Sequence, residues 1–143
     1  MPAPAAVRRA SPAEIADWDA RILANPDGGH MVQSSAFAET KRIDGLEPVF
    51  LVIDAPTAEG SERIHALALE GRVSLGRYWY MPMGPTATEM GAVVEGLRAF
   101  ARQQPGLLVV KIEPHLERSD ARVAELRALG LEQSRDMQVM THT

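Results

Sequence analysis

Apolar residues along this chain change their spacing several times, and each change marks an element. Ser11-Pro12-Ala13-Glu14 reads as a capping box with proline at the first helical position. Ile15, Trp18, Ile22 and Leu23 then recur at helical spacing as one apolar stripe, which Asn25-Pro26-Asp27-Gly28-Gly29 ends. A shorter helix is expected from Ser34 or Ser35 to Gly45, with Phe37 and Ile43 apolar and Lys41, Arg42 and Asp44 crowding its end. From Pro48 to Asp54 the residues are Val, Phe, Leu and Ile, the content of a buried strand. After a polar loop from Ala55 to Glu62, Arg63 to Leu75 predicts a long strand with a bulge at Gly71, and Tyr78 to Met81 a short one. These three are expected to form an antiparallel meander.

The helical period returns after Thr86-Ala87-Thr88-Glu89, a second capping-box sequence, in Met90, Val93, Val94, Leu97, Phe100 and Ala101. Pro105-Gly106 breaks that helix, and Leu107 to Glu113 is the clearest strand in the chain. Alternation along it sends Leu108, Val110 and Ile112 one way and Leu107, Val109, Lys111 and Glu113 the other. Ser119 or Asp120 caps a last helix carrying Val123, Leu126 and Leu129, with Gly130 at its end, and Leu131 to Thr143 is weakly strand-like. With Ala5 to Arg9 as a first strand, the elements make one α/β domain spanning residues 1–143, a mixed sheet flanked by helices.

Composition narrows the classes of function. A chain of 143 residues, 45% hydrophobic and 24% charged, has the size and balance of a single folded domain. It has no cysteine, which removes disulfides and thiolate metal sites. Arg8 and Arg9 are followed by no apolar run, so no signal peptide is read. No stretch reaches the roughly 20 apolar residues of a membrane-spanning helix, and a cytoplasmic location is expected. The net charge of −4 argues against the basic face that general DNA binding needs.

Searches for familiar chemistry mostly return nothing. His30, His65, His115 and His142 are far apart and lack metal-ligand spacing, so no metal site is expected and each histidine is read as structural. Ser34 and Ser35 have no nucleophile-elbow context, and no glycine-rich phosphate loop is present.

The order of elements resembles that of the GNAT fold, the acyl-CoA N-acyltransferase type. In those enzymes the turn before the third helix cradles the coenzyme A pyrophosphate through free backbone N–H groups. Here the matching turn, Met81-Pro82-Met83-Gly84-Pro85-Thr86, contains two prolines, which lack that donor. No cofactor is therefore expected, although a coenzyme A-dependent small-molecule N-acyltransferase stays as an alternative.

Three segments together carry a narrower resemblance: Met31 to Lys41 (MVQSSAFAETK), Tyr80-Met81-Pro82-Met83-Gly84-Pro85, and Val110-Lys111-Ile112-Glu113-Pro114. In order and spacing they are similar to the N-terminal half of the Fem family of peptidoglycan-bridge aminoacyltransferases, with Phe37 where members usually carry tryptophan. The resemblance implies transfer of an amino acid from aminoacyl-tRNA to a peptidoglycan precursor, either a UDP-muramyl peptide or its lipid-linked form. Family enzymes are built of two GNAT-like halves around a shared cleft. This chain corresponds to the first, so the aminoacyl-tRNA is expected to engage a second half and the chain alone to be inactive.

Candidate roles for individual residues come from the resemblance for Lys41 and from position and residue chemistry for the others. Lys41 falls at the family's lysine position and would contact precursor phosphates as a point charge; the competing reading is a helix-terminal lysine complementing the dipole. Glu113, at the C-terminal end of its strand, would orient or deprotonate the attacking amine, against a solvated pair with Lys111. Lys111, Tyr80 and Gly84 are assigned to the substrate side, against surface exposure, core packing and turn geometry respectively. Gln33 is read as bonding backbone at its helix start. A non-catalytic interaction domain is the remaining alternative.

Overall fold

The computed structural model describes residues 3–117 and 119–133. Among the described residues there are five strands: β1 (Ala6–Arg9), β2 (Glu47–Thr57), β3 (Gly60–Val73), β4 (Gly76–Met81) and β5 (Leu107–Ile112). They form one sheet in chain order, antiparallel from β1 to β4 and parallel between β4 and β5. The parallel pair needs a crossover, supplied by helix α4 (Met90–Arg102). The expected first strand, meander and mixed sheet are all present.

Each face of the sheet has its own core. Leu51, Ile53, Ile64, Ala66, Ala68, Trp79 and Met81 pack against Met90, Val93, Val94 and Leu97 of α4. Gly96 lets α4 approach the chain just before β1: a Cβ there would lie 2.4 Å from the Ala5 carbonyl oxygen. Leu67, Leu69 and Phe50 point to the opposite face. They meet Trp18 and Ile22 of α2 (Trp18–Leu23) and Phe37 and Ala38 of α3 (Ser35–Ile43), with α1 (Pro12–Ala16) leading into α2. The remaining helix, α5, covers Asp120–Ala128.

Local signals are borne out where neighbours in sequence suffice. Ser11 accepts from the Glu14 amide while the Glu14 carboxylate accepts from the Ser11 amide, a complete capping box. Ser34 and Ser119 cap α3 and α5, and Gly130 sits at φ +80° past the end of α5.

Other expectations are corrected. The first helix is interrupted at Asp17, so Ile15 no longer shares a face with Trp18; Ile15 and Leu23 are exposed while Trp18 and Ile22 are buried. Thr86–Glu89 forms no capping box. Glu89 precedes α4 without a side-chain cap, the Thr86 hydroxyl accepts from the His115 amide, and the Thr88 amide is given to Glu62. Gly71 pairs in regular register with Tyr78, whose ring lies over it, so that a Cβ there would be 2.1 Å from Cζ and the ring would have to move. The bulge lies in β5 instead: Arg77 pairs with Leu107 and Tyr78 with Val109. Leu107 therefore packs on the α4 side with Val110 and Ile112, and Leu108 is left exposed, the reverse of simple alternation. The strand expected over Leu131 to Thr143 does not include residues 131–133, and the rest lies outside the described residues.

Candidate functional site

At the C-terminal ends of β4 and β5 the register places Tyr80 opposite Leu69 on one side and Lys111 on the other. Directly paired residues share a face, so Tyr80 and Lys111 lie on the face that α3 covers. Glu113 follows β5 there. The Tyr80 hydroxyl donates to its Oε2 at 2.8 Å, the Met83 amide reaches its Oε1 at 3.4 Å, and its own amide donates to the Gly84 carbonyl at 3.0 Å. Lys111 Nζ stands 5.6 Å from the Tyr80 ring centroid, within cation–π range. Burial raises the Tyr80 phenol above its ordinary range, and the hydrogen bond to Glu113 and its charge raise it further, so the hydroxyl stays a donor at neutral pH.

The floor of this site is held by Gln33, on a short 3-10 turn (Met31–Gln33) that leads into α3. Its side chain is buried. Nε2 donates to the Leu67 carbonyl at 3.2 Å and to the Pro82 carbonyl, and Oε1 accepts from the Leu67 amide at 2.6 Å. The Gln33 carbonyl in turn accepts from Trp18 Nε1 at 2.9 Å. Gly84 is buried against this amide, where a Cβ would meet Gln33 Cδ at 3.3 Å. Gln33 thus bonds backbone as expected, but the backbone belongs to β3 and to the turn after β4 rather than to its own helix.

Of the residues singled out from sequence, Tyr80, Gly84, Lys111 and Glu113 come together. The side chain of Lys41 stays on its own helix, 3.5 Å from the Asp44 carboxylate and over the Phe37 ring at 5.3 Å. It shares the sheet face of the other four through the packing of α3 on β2 and β3.

Two histidines that spacing alone left unconnected also meet here. The rings of His30 and His115 are edge-to-face with centroids 5.6 Å apart, and His115 Nδ1 is 3.9 Å from Asp27 Oδ2. His30 and His115 each flank a segment singled out from sequence, one just before Met31 and the other just after Pro114, a positional signal that a search for metal spacing ignores. Burial and the neighbouring His115 hold His30 below its ordinary range, against Asp27 and Glu113. Among the described residues no three His, Asp or Glu side chains are placed to hold a metal ion.

Chemically, the arrangement offers a half-buried carboxylate held by two donors, with lone pairs left over, beside an ammonium and two imidazoles. Such a group can receive an amine and orient it. It is a poor place for a diphosphate: Pro82 and Pro85 have no N–H, and the Met83 amide faces Glu113. No helix among the described residues is long and apolar enough to cross a membrane. No family model, curated protein or solved structure matches the chain.

Proposed function

We propose that this chain is the precursor-binding, GNAT-like half of a Fem-like aminoacyltransferase, presenting an acceptor amine of a peptidoglycan precursor to an aminoacyl ester. The single observation supporting it most is convergence. Three segments far apart in sequence, chosen for their resemblance to that family, touch one another at the ends of β4 and β5. Gln33 of the first bonds Pro82 of the second, and Glu113 of the third bonds Tyr80, Met83 and Gly84 of the second.

In this reading Glu113 orients the amine and accepts its proton as the carbon–nitrogen bond forms, the acyl carbon–oxygen bond of the ester then breaks with that proton passing to the departing tRNA hydroxyl, and Tyr80 holds the carboxylate in place. Lys111 offers positive charge beside that carboxylate. Lys41 meets precursor phosphates from α3 after leaving Asp44, an exchange of one exposed partner for another that costs little. The second half supplies the aminoacyl-tRNA, and the reaction belongs to the cytoplasm.

Titration calorimetry with a UDP-linked muramyl peptide tests the reading. Binding is expected, weakened by Lys41→Ala and by Glu113→Ala. An absence of binding, both for this chain and for the chain joined to a second half, would overturn it. Thermal protection by acetyl-CoA would favour the coenzyme A alternative instead, against the two prolines of the turn.

A further inference from the structure

We infer that His30 is a proton-operated latch on the floor of the site: its neutral ring caps the turn that carries Gln33, and protonation removes the cap. The inference stands apart from the function proposed above, because it concerns only how the floor is held.

The geometry dictates a tautomer. His30 has extended backbone (φ −145°, ψ 145°), and its Nδ1 accepts the Val32 amide at 3.2 Å. An imidazole nitrogen that accepts carries no proton, so the neutral ring keeps its hydrogen on Nε2. An imidazolium has two donors and no acceptor. Protonation at Nδ1 would set one N–H against another and leave the Val32 amide without its cap.

What hangs from that cap is the site's floor. The turn is three residues long, and its other local ties are the Gln33 amide to the His30 carbonyl at 2.9 Å and the Ser34 amide to the Met31 carbonyl at 3.1 Å. Its last residue, Gln33, clamps β3 and the Pro82 carbonyl. A shift of the uncapped turn therefore moves a side chain that ties this turn to the one behind Glu113.

Three charged or titratable groups face His30. His115, edge-on to its ring, opposes a second positive charge; Asp27, ahead of it in the same loop, and Glu113, after β5, favour one. Asp27 is itself fixed by accepting the Gly29 amide at 2.9 Å. The ring is held neutral at pH 7 and the latch is closed there; acidification opens it.

Proton and nitrogen NMR of the full chain tests this, titrating until the His30 ring is fully protonated. In the natural protein the Val32 backbone amide and the Gln33 side-chain amide are expected to move with the His30 midpoint. His30→Asn keeps an acceptor at the cap but cannot titrate, so both signals should stay flat through that range. His115→Gln is expected to raise the His30 midpoint and Asp27→Asn to lower it. A Val32 amide that ignores the titration of His30, or an unchanged step in His30→Asn, would overturn the inference.

Discussion

Gln33→Ala is the substitution with the most to say about how this site is built. Gln33 is 4% exposed. Removal of its side chain leaves the Leu67 amide, the Leu67 carbonyl and the Pro82 carbonyl without the partners described above. A buried polar group stripped of its partner costs about 1–3 kcal/mol, so three give roughly 3–9 kcal/mol. For a chain of this length that corresponds to a fall in Tm of about 3 °C per kcal/mol, hence about 9 °C or more. Urea titration followed by fluorescence suits the measurement, because Trp18 and Trp79 are both buried and report on opposite faces of the sheet. Gln33→Glu is a sharper companion: it keeps an acceptor for the Leu67 amide but turns an oxygen toward the Pro82 carbonyl, and should be destabilised as well. A loss below about 1 kcal/mol for Gln33→Ala would refute the reasoning, since it would mean that water restores these bonds at little cost.

Three further outcomes follow from the same structure. Glu113→Gln should bring the Tyr80 phenol down by removing a charge and a charged acceptor, yet leave it above its ordinary range because burial, the largest cause, is untouched; absorbance of phenolate at alkaline pH reads this, with Tyr78→Phe isolating Tyr80. Gly96→Ala pushes a methyl group onto the Ala5 carbonyl, a backbone neighbour that cannot rotate away, and should cost about 1–3 kcal/mol in urea unfolding. His65 is buried beside Trp18, and burial, then Arg21, holds its ring below the ordinary value of 6.5. The unfolded chain therefore takes up a proton that the folded chain refuses. The stability this contributes is present above about pH 6.5 and is lost as pH falls toward the folded midpoint. Urea midpoints at successive pH values should show that loss, reduced in His65→Phe; an unchanged slope in the variant would assign it to other groups.

Much of the architecture was legible in the residues because it depends on near neighbours. Helical period over Met90–Ala101, serine caps at Ser11, Ser34 and Ser119, and the stop at Pro105-Gly106 are matters of a few consecutive side chains and the backbone between them. The meander and the parallel return to β5 follow from the order of those elements. What only tertiary structure decided has a common cause: a hydrogen-bonding group takes the best partner available, and many of those partners lie across the sheet. Thr86 serves the His115 amide rather than a helix start, Gln33 serves β3 rather than its own helix, and one extra residue in β5 exchanges the places of Leu107 and Leu108 while Val110 and Ile112 keep theirs. The meeting of His30 and His115, and of Tyr80 with Glu113, depends on register and on the folding of two loops over the same strand ends. Pattern along a chain records which faces are apolar; it does not record which distant polar groups will be brought within 3 Å of each other.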